Sequence, residues 1–592
     1  MNIYHNTREL KFREPFGAVF KGTNVVLKLF ADDEGISNVS LIINTKTKIN
    51  EEHIMKKEED CLYSFVLCPD SAELYSYYFK LSYCDGKTVY YGPKKGRVNG
   101  GGMTFSEPIK TGFQLTVTKP SYSPLWYKNG IVYQIFPDRF ARGDDYLENA
   151  KEDFSHHLNG PKRALTDDWL KKPVYEKDSL GRITKWEFYG GTLKGIIDKL
   201  DYIKDLGATI IYLNPIFDAA SNHRYDTADY MKISPLLGNE KDFKDLCDEA
   251  KKKGISIILD GVFNHTGCDS IYFNKYNNYD TIGAYNSENS PYRDWYTFND
   301  SKDGYESWWG VGDLPAVNEK NESYRKYIYE DPDSVVRHYI KEGAKGWRLD
   351  VADELPDSFI AGIKKAMKET DPDCVLLGEV WEDASNKVAY DELREYFLGD
   401  ELDCVMNYPL RDNMIAFLIG EIDANELAER FMSLYENYPK DAFYSNFNLL
   451  GSHDSKRLYT SLGGNIAHIK SAVTMQMCFP GVPVIYYGDE IGYEGGKDPE
   501  NRAAFDMSLS KNQIMDIYKE AIALRREDEL FLKGDFKPFA LNHNVFCVTR
   551  QFGARKVRVI INRSGDEDYD FYLDGKNCHV NRYETLVLRD VL

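Results

Sequence analysis

Residues 256–265 read Ser-Ile-Ile-Leu-Asp-Gly-Val-Phe-Asn-His, a short apolar run that ends in polar residues. Seven more short apolar runs occur between Trp126 and Leu530: Gly130–Phe136, Thr209–Asn214, Gly346–Val351, Cys374–Trp381, Cys404–Tyr408, Asn446–Leu450 and Val482–Tyr487. Apolar strands joined by amphipathic helices are typical of a parallel sheet that is covered on both faces. Eight such strands predict a closed (β/α)8 barrel, the TIM-barrel fold.

The segments between these runs show helical spacing. Ile196, Leu200 and Ile203 recur at helical intervals before Gly207, and a second such pattern stops at Gly254. Glycine directly after a periodic segment is a common helix terminator. Neither a G-x-G-x-x-G loop nor a Walker-type loop occurs, so a nucleotide-binding α/β fold has no direct support.

Two strand-rich regions flank the barrel, which makes the chain multidomain. Residues 1–120 contain strand patterns and an Asp85-Gly86 hairpin signal, and they predict an N-terminal β-sandwich. Residues 121–530 form the predicted barrel, with a long aromatic insertion after the third strand at 264–331. Residues 531–592 return to strand patterns and predict a small C-terminal all-β domain.

Composition excludes several classes of partner. The formal net charge is −20, which disfavours nucleic acids and anionic membranes because phosphate binding needs clustered Lys and Arg. The 10 cysteines are scattered without metal-ligand spacing, as expected for reduced buried thiols. No apolar stretch is long enough to span a bilayer, and residues 1–10 lack the pattern of a signal peptide. We therefore expect a cytoplasmic protein.

Ionisable groups follow four of the predicted strands, where a barrel of this kind carries its chemistry. They are Asp260 and His265 on the third strand, Arg348 and Asp350 on the fourth, Glu379 beside Trp381 on the fifth, and His453 and Asp454 on the seventh. Buried charge is costly, so folding alone does not explain this set. Glycoside cleavage does, because it needs one carboxylic acid to protonate the leaving oxygen and one carboxylate to attack or stabilise the anomeric carbon. We expect Arg348 to orient Asp350 and keep it ionised, and an apolar setting to raise the pKa of Glu379.

These residues stand in four motifs: Asp260-Gly-Val-Phe-Asn-His265, Gly346-Trp-Arg-Leu-Asp-Val-Ala352, Gly378-Glu-Val-Trp381 and Ser452-His-Asp454. In this order they resemble the main motifs of the α-amylase family, glycoside hydrolase family 13. Leu314-Pro-Ala-Val-Asn318 resembles the additional motif of its neopullulanase, cyclomaltodextrinase and maltogenic amylase group. Gly481–Glu490 resembles the eighth-strand motif, and Trp126–Arg139 the start of the barrel.

The resemblance implies a role for each residue. Asp350 would be the nucleophile, Glu379 the general acid/base, and Asp454 the third carboxylate, which holds substrate hydroxyls. Arg348, Asp260, His265 and His453 would line the same subsite. Tyr225 would stack on the sugar being cleaved, and its alternative is a core tyrosine. Trp381 would be a platform on the leaving-group side, and Asp498 and Arg502 would bind a more distant sugar or form a surface ion pair.

Two departures from the group matter. Its relatives can bind calcium through an Asn-Gly-Asp stretch and a Gly-Gly-Asp turn, where this chain has Arg142-Gly-Asp144 and Gly190-Gly-Thr192. Calcium takes six to eight oxygen ligands, so we predict no calcium at this position and no cofactor. Ala316-Val317 and Asp353 also differ from the usual Lys-Leu and Asn, which bears on substrate preference.

The resemblance implies a retaining hydrolase of α-1,4 bonds, with α-1,6 bonds as an option, in maltooligosaccharides, pullulan, cyclodextrins or starch fragments. A transglycosylase or α-glucosidase with the same residues is an alternative. Non-catalytic relatives that partner membrane transporters are disfavoured, because they lose catalytic carboxylates that this chain keeps. The N-terminal module has three options: a glycan-binding surface, a core without a site, or the contact of a homodimer.

Overall fold

The computed structural model describes residues 2–591, and the side chains of residues 2–589. Its centre is a parallel barrel whose strands we number in chain order: β1 Val132–Ile135, β2 Ile210–Leu213, β3 Ser256–Gly261, β4 Gly346–Leu349, β5 Val375–Gly378, β6 Cys404–Val405, β7 Phe447–Leu449 and β8 Val482–Tyr486. Consecutive strands pair side by side, and β8 pairs with β1. A parallel bridge between Met406 and Phe447 joins β6 to β7. The predicted barrel is confirmed, with strands shorter than the apolar runs.

Helices cover the outside of the barrel. The covering helices are Leu193–Asp198, Leu200–Leu206, Glu240–Lys252, Val335–Lys341, Asp357–Thr370, Tyr408–Leu418, Ala424–Asn437, Ile466–Cys478 and Gln513–Glu527. The helix predicted to end at Gly207 is divided in two at Lys199, and Gly207 itself has φ 108°. Glu240–Lys252 is capped by the Asn239 side chain, which accepts hydrogen bonds from the backbone of Lys241 and Asp242.

Short elements fill the connections. Short α-helices are Leu125–Lys128, Tyr146–Asp153, Glu322–Arg325, Lys440–Phe443, Leu458–Ser461 and Leu530–Lys533, and a π-helix spans Lys326–Glu330. 3₁₀ turns are Pro137–Arg139, Arg293–Trp295, Trp308–Gly310, Ala352–Glu354, Asp489–Ile491, Glu500–Arg502 and Met507–Leu509. Small strands are Lys162–Leu165, Glu176–Lys177, Ile183–Phe188, Phe217–Ala219, Thr227–Ile233, Val388–Ala389 and Glu392–Leu393. No described helix is both long enough and apolar enough to cross a membrane.

The insertion after β3 is held together by aromatic packing. Trp295 lies against Tyr272 and Tyr324, with ring centroids 5.3 and 5.0 Å apart. The backbone amide of Val317 donates to the carbonyl of Asn264 at 2.9 Å, which brings the end of the insertion back to the tip of β3. The insertion therefore forms one wall above the barrel mouth.

The N-terminal module consists of two sheets. One contains Asn2–Tyr4, Arg13–Glu14, Val25–Asp32, Lys56–Lys57 and Leu62–Leu67; the other contains Val19–Phe20, Ile36–Asn44, Glu51–Ile54, Leu74–Tyr83, Thr88–Pro93, Gly102–Phe105 and Phe113–Thr118. Tyr77 and Phe79 of the aromatic strand are fully buried between the sheets, so these two rings are core and not a sugar platform. Arg8 and Arg13 pair with Glu436 of the barrel at 3.1 and 3.2 Å.

The C-terminal region is a four-stranded antiparallel sheet with an added hairpin. Its strands are Asp535–Ala540, Val545–Phe552, Arg555–Asn562 and Thr585–Val591, and the hairpin is Tyr569–Leu573 with Lys576–Val580. Phe546 packs against Phe417 and Phe431 of the barrel helices, with both centroid distances 5.9 Å.

Candidate active site

Arg348 organises the carboxylates at the tips of β3, β4 and β5. Its side chain is fully buried. Nη1 lies 2.7 Å from Asp260 Oδ1 and 2.7 Å from Asp350 Oδ1, and Nη2 lies 2.9 Å from Glu379 Oε2. The planar guanidinium thus brings three acids from neighbouring strands to one point. The structure thus brings Asp350 and Glu379, which were predicted to face one site, to the same guanidinium.

A strained turn positions Glu379. Val351, directly after Asp350, has φ 39°, a conformation that β-branched residues rarely adopt. Its backbone N–H donates to Glu379 Oε2 at 2.9 Å, and Trp381 Nε1 donates to Oε1 at 3.1 Å. Both oxygens of Glu379 are therefore held in place, and the turn that orients them follows directly on Asp350.

Tyr225, His453 and Asp454 form the opposite side of the site. The Tyr225 and His453 rings lie nearly parallel, with an interplanar angle of 4° and centroids 5.3 Å apart. The Tyr225 hydroxyl lies 2.6 Å from His453 Nε2 and donates to Asp260 Oδ2 at 2.8 Å. Asp454 Oδ2 lies 2.9 Å from His453 Nε2. Tyr225 is thus part of the polar network, not a residue of the apolar core.

Gln134 and Asn214 also belong to the site, and sequence reasoning missed them. Their amide nitrogens lie 3.0 and 3.1 Å from His453 Nδ1. When both amides donate, Nδ1 is the acceptor and Nε2 carries the ring proton, which faces Asp454. The signal for Asn214 is its position directly after β2; Gln134 is a polar residue inside an otherwise apolar strand.

The pKa values of the two central carboxyl groups are raised together. Burial raises the pKa of Asp350 well above its usual value; Arg348 opposes this, and the charge of Glu379 adds to it. Burial likewise raises the pKa of Glu379, again against Arg348. We expected Arg348 to keep Asp350 ionised; in the structure Arg348 does lower the pKa of Asp350, but burial raises it more strongly. Two interacting carboxyl groups that hold a single proton between them provide one acid and one carboxylate.

The third carboxylate behaves differently. Burial alone would raise the pKa of Asp454, but His453, Arg502 and Arg348 lower it below its usual range. Asp454 therefore stays ionised under conditions in which the Asp350–Glu379 pair holds a proton. This separation of pKa values provides a permanent anion beside a proton-holding pair.

Aromatic side chains line the mouth. His265 Nε2 lies 3.1 Å from the carbonyl of Tyr225, and its ring stacks on Trp308 at 5.4 Å. Burial lowers the pKa of His265 to about 4, which keeps it neutral. Trp381 stacks on Tyr408 at 3.9 Å and leaves 43% of its surface exposed. It therefore offers a supported apolar face to a ligand.

Trp309 and Tyr390 lie beside this mouth and were not singled out from sequence as binding residues. Trp309 is 79% exposed, and its Nε1 donates to Glu354 Oε1 at 2.9 Å. The Tyr390 hydroxyl hydrogen-bonds to the other oxygen of Glu354. Asp353, one of the departures from the family pattern, accepts a hydrogen bond from Tyr396 at 2.6 Å.

Asp498 and Arg502 form an ion pair with a distance of 3.0 Å. Arg502 is buried, however, and its Nε donates to the carbonyl of His453 at 3.1 Å. Its Nη2 lies 3.4 Å from Asp454 Oδ1. A surface ion pair is therefore not a full description of Arg502, because Arg502 also binds the segment that carries His453 and Asp454.

Positive side chains occupy the family's usual calcium position. Arg142 donates to the carbonyls of Tyr189 and Thr166 at 2.8 and 2.7 Å, and Lys194 Nζ lies 3.4 Å from Asp145 Oδ2. Carbonyl oxygens that bind a guanidinium are not free to coordinate a metal. These residues do not fit calcium, and the absence of the ion remains a prediction.

Known proteins are similar to this chain in sequence and in architecture. The family model described as "Alpha amylase, catalytic domain" matches residues 134–529. The chain is 36% identical to an amylopullulanase of Thermoanaerobacterium saccharolyticum, over 93% of this chain and 47% of that protein. It is 35% identical to neopullulanase 2 of Thermoactinomyces vulgaris, over 86% of this chain and 84% of that protein. It spans about half or less of the length of the amylopullulanases it matches.

Solved structures have the same fold. A cyclic α-maltosyl-(1→6)-maltose hydrolase from Arthrobacter globiformis superposes with a TM-score of 0.68 and 30% identity, over 79% of this chain and all of that one. The type III pullulan hydrolase from Thermococcus kodakarensis gives a TM-score of 0.68 and 26% identity over the whole of both chains. Together with the family model and the geometry of the strand tips, these similarities show that the chain belongs to the α-amylase family.

Proposed function

We propose that this chain is a retaining glycoside hydrolase that cleaves α-1,4-glucosidic bonds in maltooligosaccharides and related glucans, and α-1,6 bonds as a second linkage. The observation that supports this most is the shared guanidinium: Arg348 lies 2.7 Å from Asp350 and 2.9 Å from Glu379. Two carboxyl groups held this way meet the need of glycoside cleavage for an acid and a carboxylate at one bond.

The roles follow from surroundings. Among residues 2–589, no side chain or backbone amide donates a hydrogen bond to Asp350 Oδ2, whereas both oxygens of Glu379 accept bonds, from Val351 and Trp381. Asp350 is therefore the group free to attack the anomeric carbon, with Glu379 protonating the leaving oxygen. After departure of the leaving sugar, Glu379 would take a proton from water, and that water would release the sugar from Asp350.

The remaining groups bind and orient the sugar. Asp454 and the Nε2–H of His453 face the same space and suit the hydroxyls of one glucose ring. Tyr225 supplies an aromatic face beside them. Trp381, stacked on Tyr408, supplies a second face on the side of Glu379, where the leaving sugar would lie.

The relatives support the substrate class. Their names include amylopullulanase, neopullulanase and cyclomaltodextrinase, and the Arthrobacter globiformis enzyme is named for hydrolysis of a cyclic sugar with 1→6 links. A side-by-side product survey on cyclodextrin, pullulan and starch tests the proposal. We expect reducing sugar from at least one of them with the wild type and with Glu382→Gln, a control on the same loop. Release of none would end the proposal.

Transfer to a second sugar is the competing outcome for the same intermediate. The exposed faces of Trp381 and Trp309 favour it, since both could hold an acceptor. Product analysis at rising maltose concentration separates the two: longer products indicate transfer, and an unchanged product length indicates hydrolysis.

A homodimer through the N-terminal module is also part of the proposal, and its support is the family resemblance. Light scattering of the full chain tests it. A monomer at all concentrations would remove this part without affecting the proposed reaction.

A further inference from the structure

A second group of acids lies outside the catalytic site. Asp357 begins the helix Asp357–Thr370, and Glu395 and Glu401 lie in the loop between β5 and β6. One carboxylate oxygen from each residue lies within 4.8 Å of the other two. The sequence spacing of these residues gives no metal-binding signature, because the fold alone brings them together.

Glu401 is the unusual member of this acidic cluster. It is 3% exposed, and its Oε2 has no hydrogen-bonding partner among residues 2–591. A buried carboxylate without a partner is costly, because it has lost its hydration without replacement. The carboxylate also faces the two other acids, and their negative charges increase the free-energy cost of an ionised Glu401.

The basic residues nearby are paired with acids other than Glu401, and two of these acids, Glu395 and Asp357, belong to the cluster. Lys46 Nζ lies 2.7 Å from Glu395, Arg394 Nη2 lies 2.9 Å from Asp357, and Lys364 Nζ lies 3.2 Å from Asp403. In the described part of the chain, no Lys, Arg or His forms an ion pair with Glu401. The cluster therefore has more carboxylates than positively charged partners. The carboxylate that lacks a partner among the described residues is Glu401, the most buried of the three.

We propose that Asp357, Glu395 and Glu401 bind a divalent cation, calcium by preference. Calcium takes oxygen ligands in flexible geometry, and carboxylates can bind it through one or both oxygens. Asp357 and Glu395 are only partly buried, so water can complete the coordination shell. This site is distinct from the family's usual calcium position, where Arg142 and Lys194 occupy the space.

A proton is the competitor for the same place. Without a cation, burial raises the pKa of Glu401 to about 9, with the charges of Asp357 and Glu395 adding to the effect. Calcium binding would displace that proton, so affinity should rise with pH. The two possibilities differ in what Glu401→Gln does, because glutamine resembles the protonated acid but is a poor calcium ligand.

The position gives the cation a structural role. The loop from β5 to β6 carries Glu379 and Trp381 at its start and two of the three acids near its end. Lys46 connects the cluster to the N-terminal module. A bound cation would fix this loop against the helix that follows β4, and through Lys46 against the module.

Isothermal titration of the full chain with calcium chloride, after treatment with EDTA, tests the proposal. We expect binding by the wild type, and binding at least about 100-fold weaker in Glu401→Gln, since even indirect partners of metal ligands change affinity by 10–100-fold. Glu392→Gln, an acid on the same loop outside the cluster, and Asp145→Asn, at the family's usual position, should bind as the wild type does. Calcium should raise the melting temperature of every form except Glu401→Gln.

Three results would overturn the inference. The first is absence of calcium binding by the wild type, which would assign Glu401 a proton. The second is equal binding by the wild type and Glu401→Gln, and the third is loss of binding in Asp145→Asn instead. If Glu401→Gln does not fold, Glu395→Gln carries the same expectation at a more exposed ligand. None of these results depends on glycosidase activity.

Discussion

Two groups of carboxylates occupy neighbouring parts of this molecule, and they are neutralised differently. At the barrel rim, Asp260, Asp350 and Glu379 surround Arg348, whose charge is part of the fold. In the acidic cluster, Glu401 is equally buried but has no such partner among the residues that the structure describes. A built-in cation leaves the rim carboxylates free for proton transfer. In the acidic cluster, Lys46 and Arg394 pair with Glu395 and Asp357 but not with Glu401, and we infer that the cluster takes a metal ion from solution.

Removing a carboxyl group from the rim is expected to have the largest effect. Glu379→Gln should lower kcat by roughly 10²–10⁴, the contribution typical of a positioned acid/base. Asp350→Asn should lower it at least as much. Steady-state kinetics on a maltooligosaccharide measures both, with Glu382→Gln as the control. Near-normal turnover in either variant would show that the rim pair is not the reacting pair.

Replacing Arg348 by an uncharged residue should leave the carboxylates at the barrel rim without a counter-charge, as Glu401 is among the described residues of the acidic cluster. Arg348→Met leaves three acids facing each other without a counter-charge, and breaking a buried ion pair in this way costs about 3–5 kcal/mol. Denaturant unfolding would measure this loss. Arg348→Lys keeps the charge but loses the planar fork, so it should unfold less readily than Arg348→Met. Equal free energies of unfolding for the two variants would contradict the role of charge.

The fold was predictable from sequence to a large extent, and the site in part. The eight apolar runs and the polar residues that follow them predicted the barrel and the group of ionisable residues at its rim, because strand ends of a parallel barrel must share one face. The strained φ of Val351 and the contacts of Gln134 with His453 were not predictable, since they depend on tertiary packing. The same reason hid Glu401, whose lack of a partner exists only in three dimensions.

The pH dependence of activity should report the shared proton at the rim. Because burial raises the pKa of both Asp350 and Glu379, the pair retains a proton above the pKa of about 4.3 of a free glutamate. We expect kcat/KM to decline on the alkaline side only where this proton leaves, and on the acid side where the second carboxyl becomes protonated. The raised pKa values of Asp350 and Glu379 also affect the free energy of unfolding. Their stabilising contribution is present at low pH and is lost as the pH rises through these pKa values.

The variant Arg348→Met is the control for the predicted pH dependence of kcat/KM. Arg348 lowers both pKa values, so the residual activity of Arg348→Met should show both limbs at higher pH than the wild type. A wild-type alkaline limb at the pKa of an ordinary carboxyl group would contradict the shared proton.

The smallest expected effect is at the edge of the site. Asp498 is partly exposed and pairs with Arg502, and exposed ion pairs contribute less than about 1 kcal/mol. Asp498→Asn should therefore change KM by less than about fivefold and leave kcat unchanged. A much larger rise in KM would show that Asp498 binds sugar directly.

We propose that Asp350 and Glu379, which are both held by the Arg348 guanidinium, act on the same glycosidic bond. Proton NMR of the first products released from a maltooligosaccharide tests this most directly, because attack by Asp350 forms a covalent intermediate and inverts the anomeric carbon twice. We expect the new reducing end to appear first as the α-anomer and to equilibrate only later. A product that appears first as the β-anomer would show that water attacks directly and would remove Asp350 from its role.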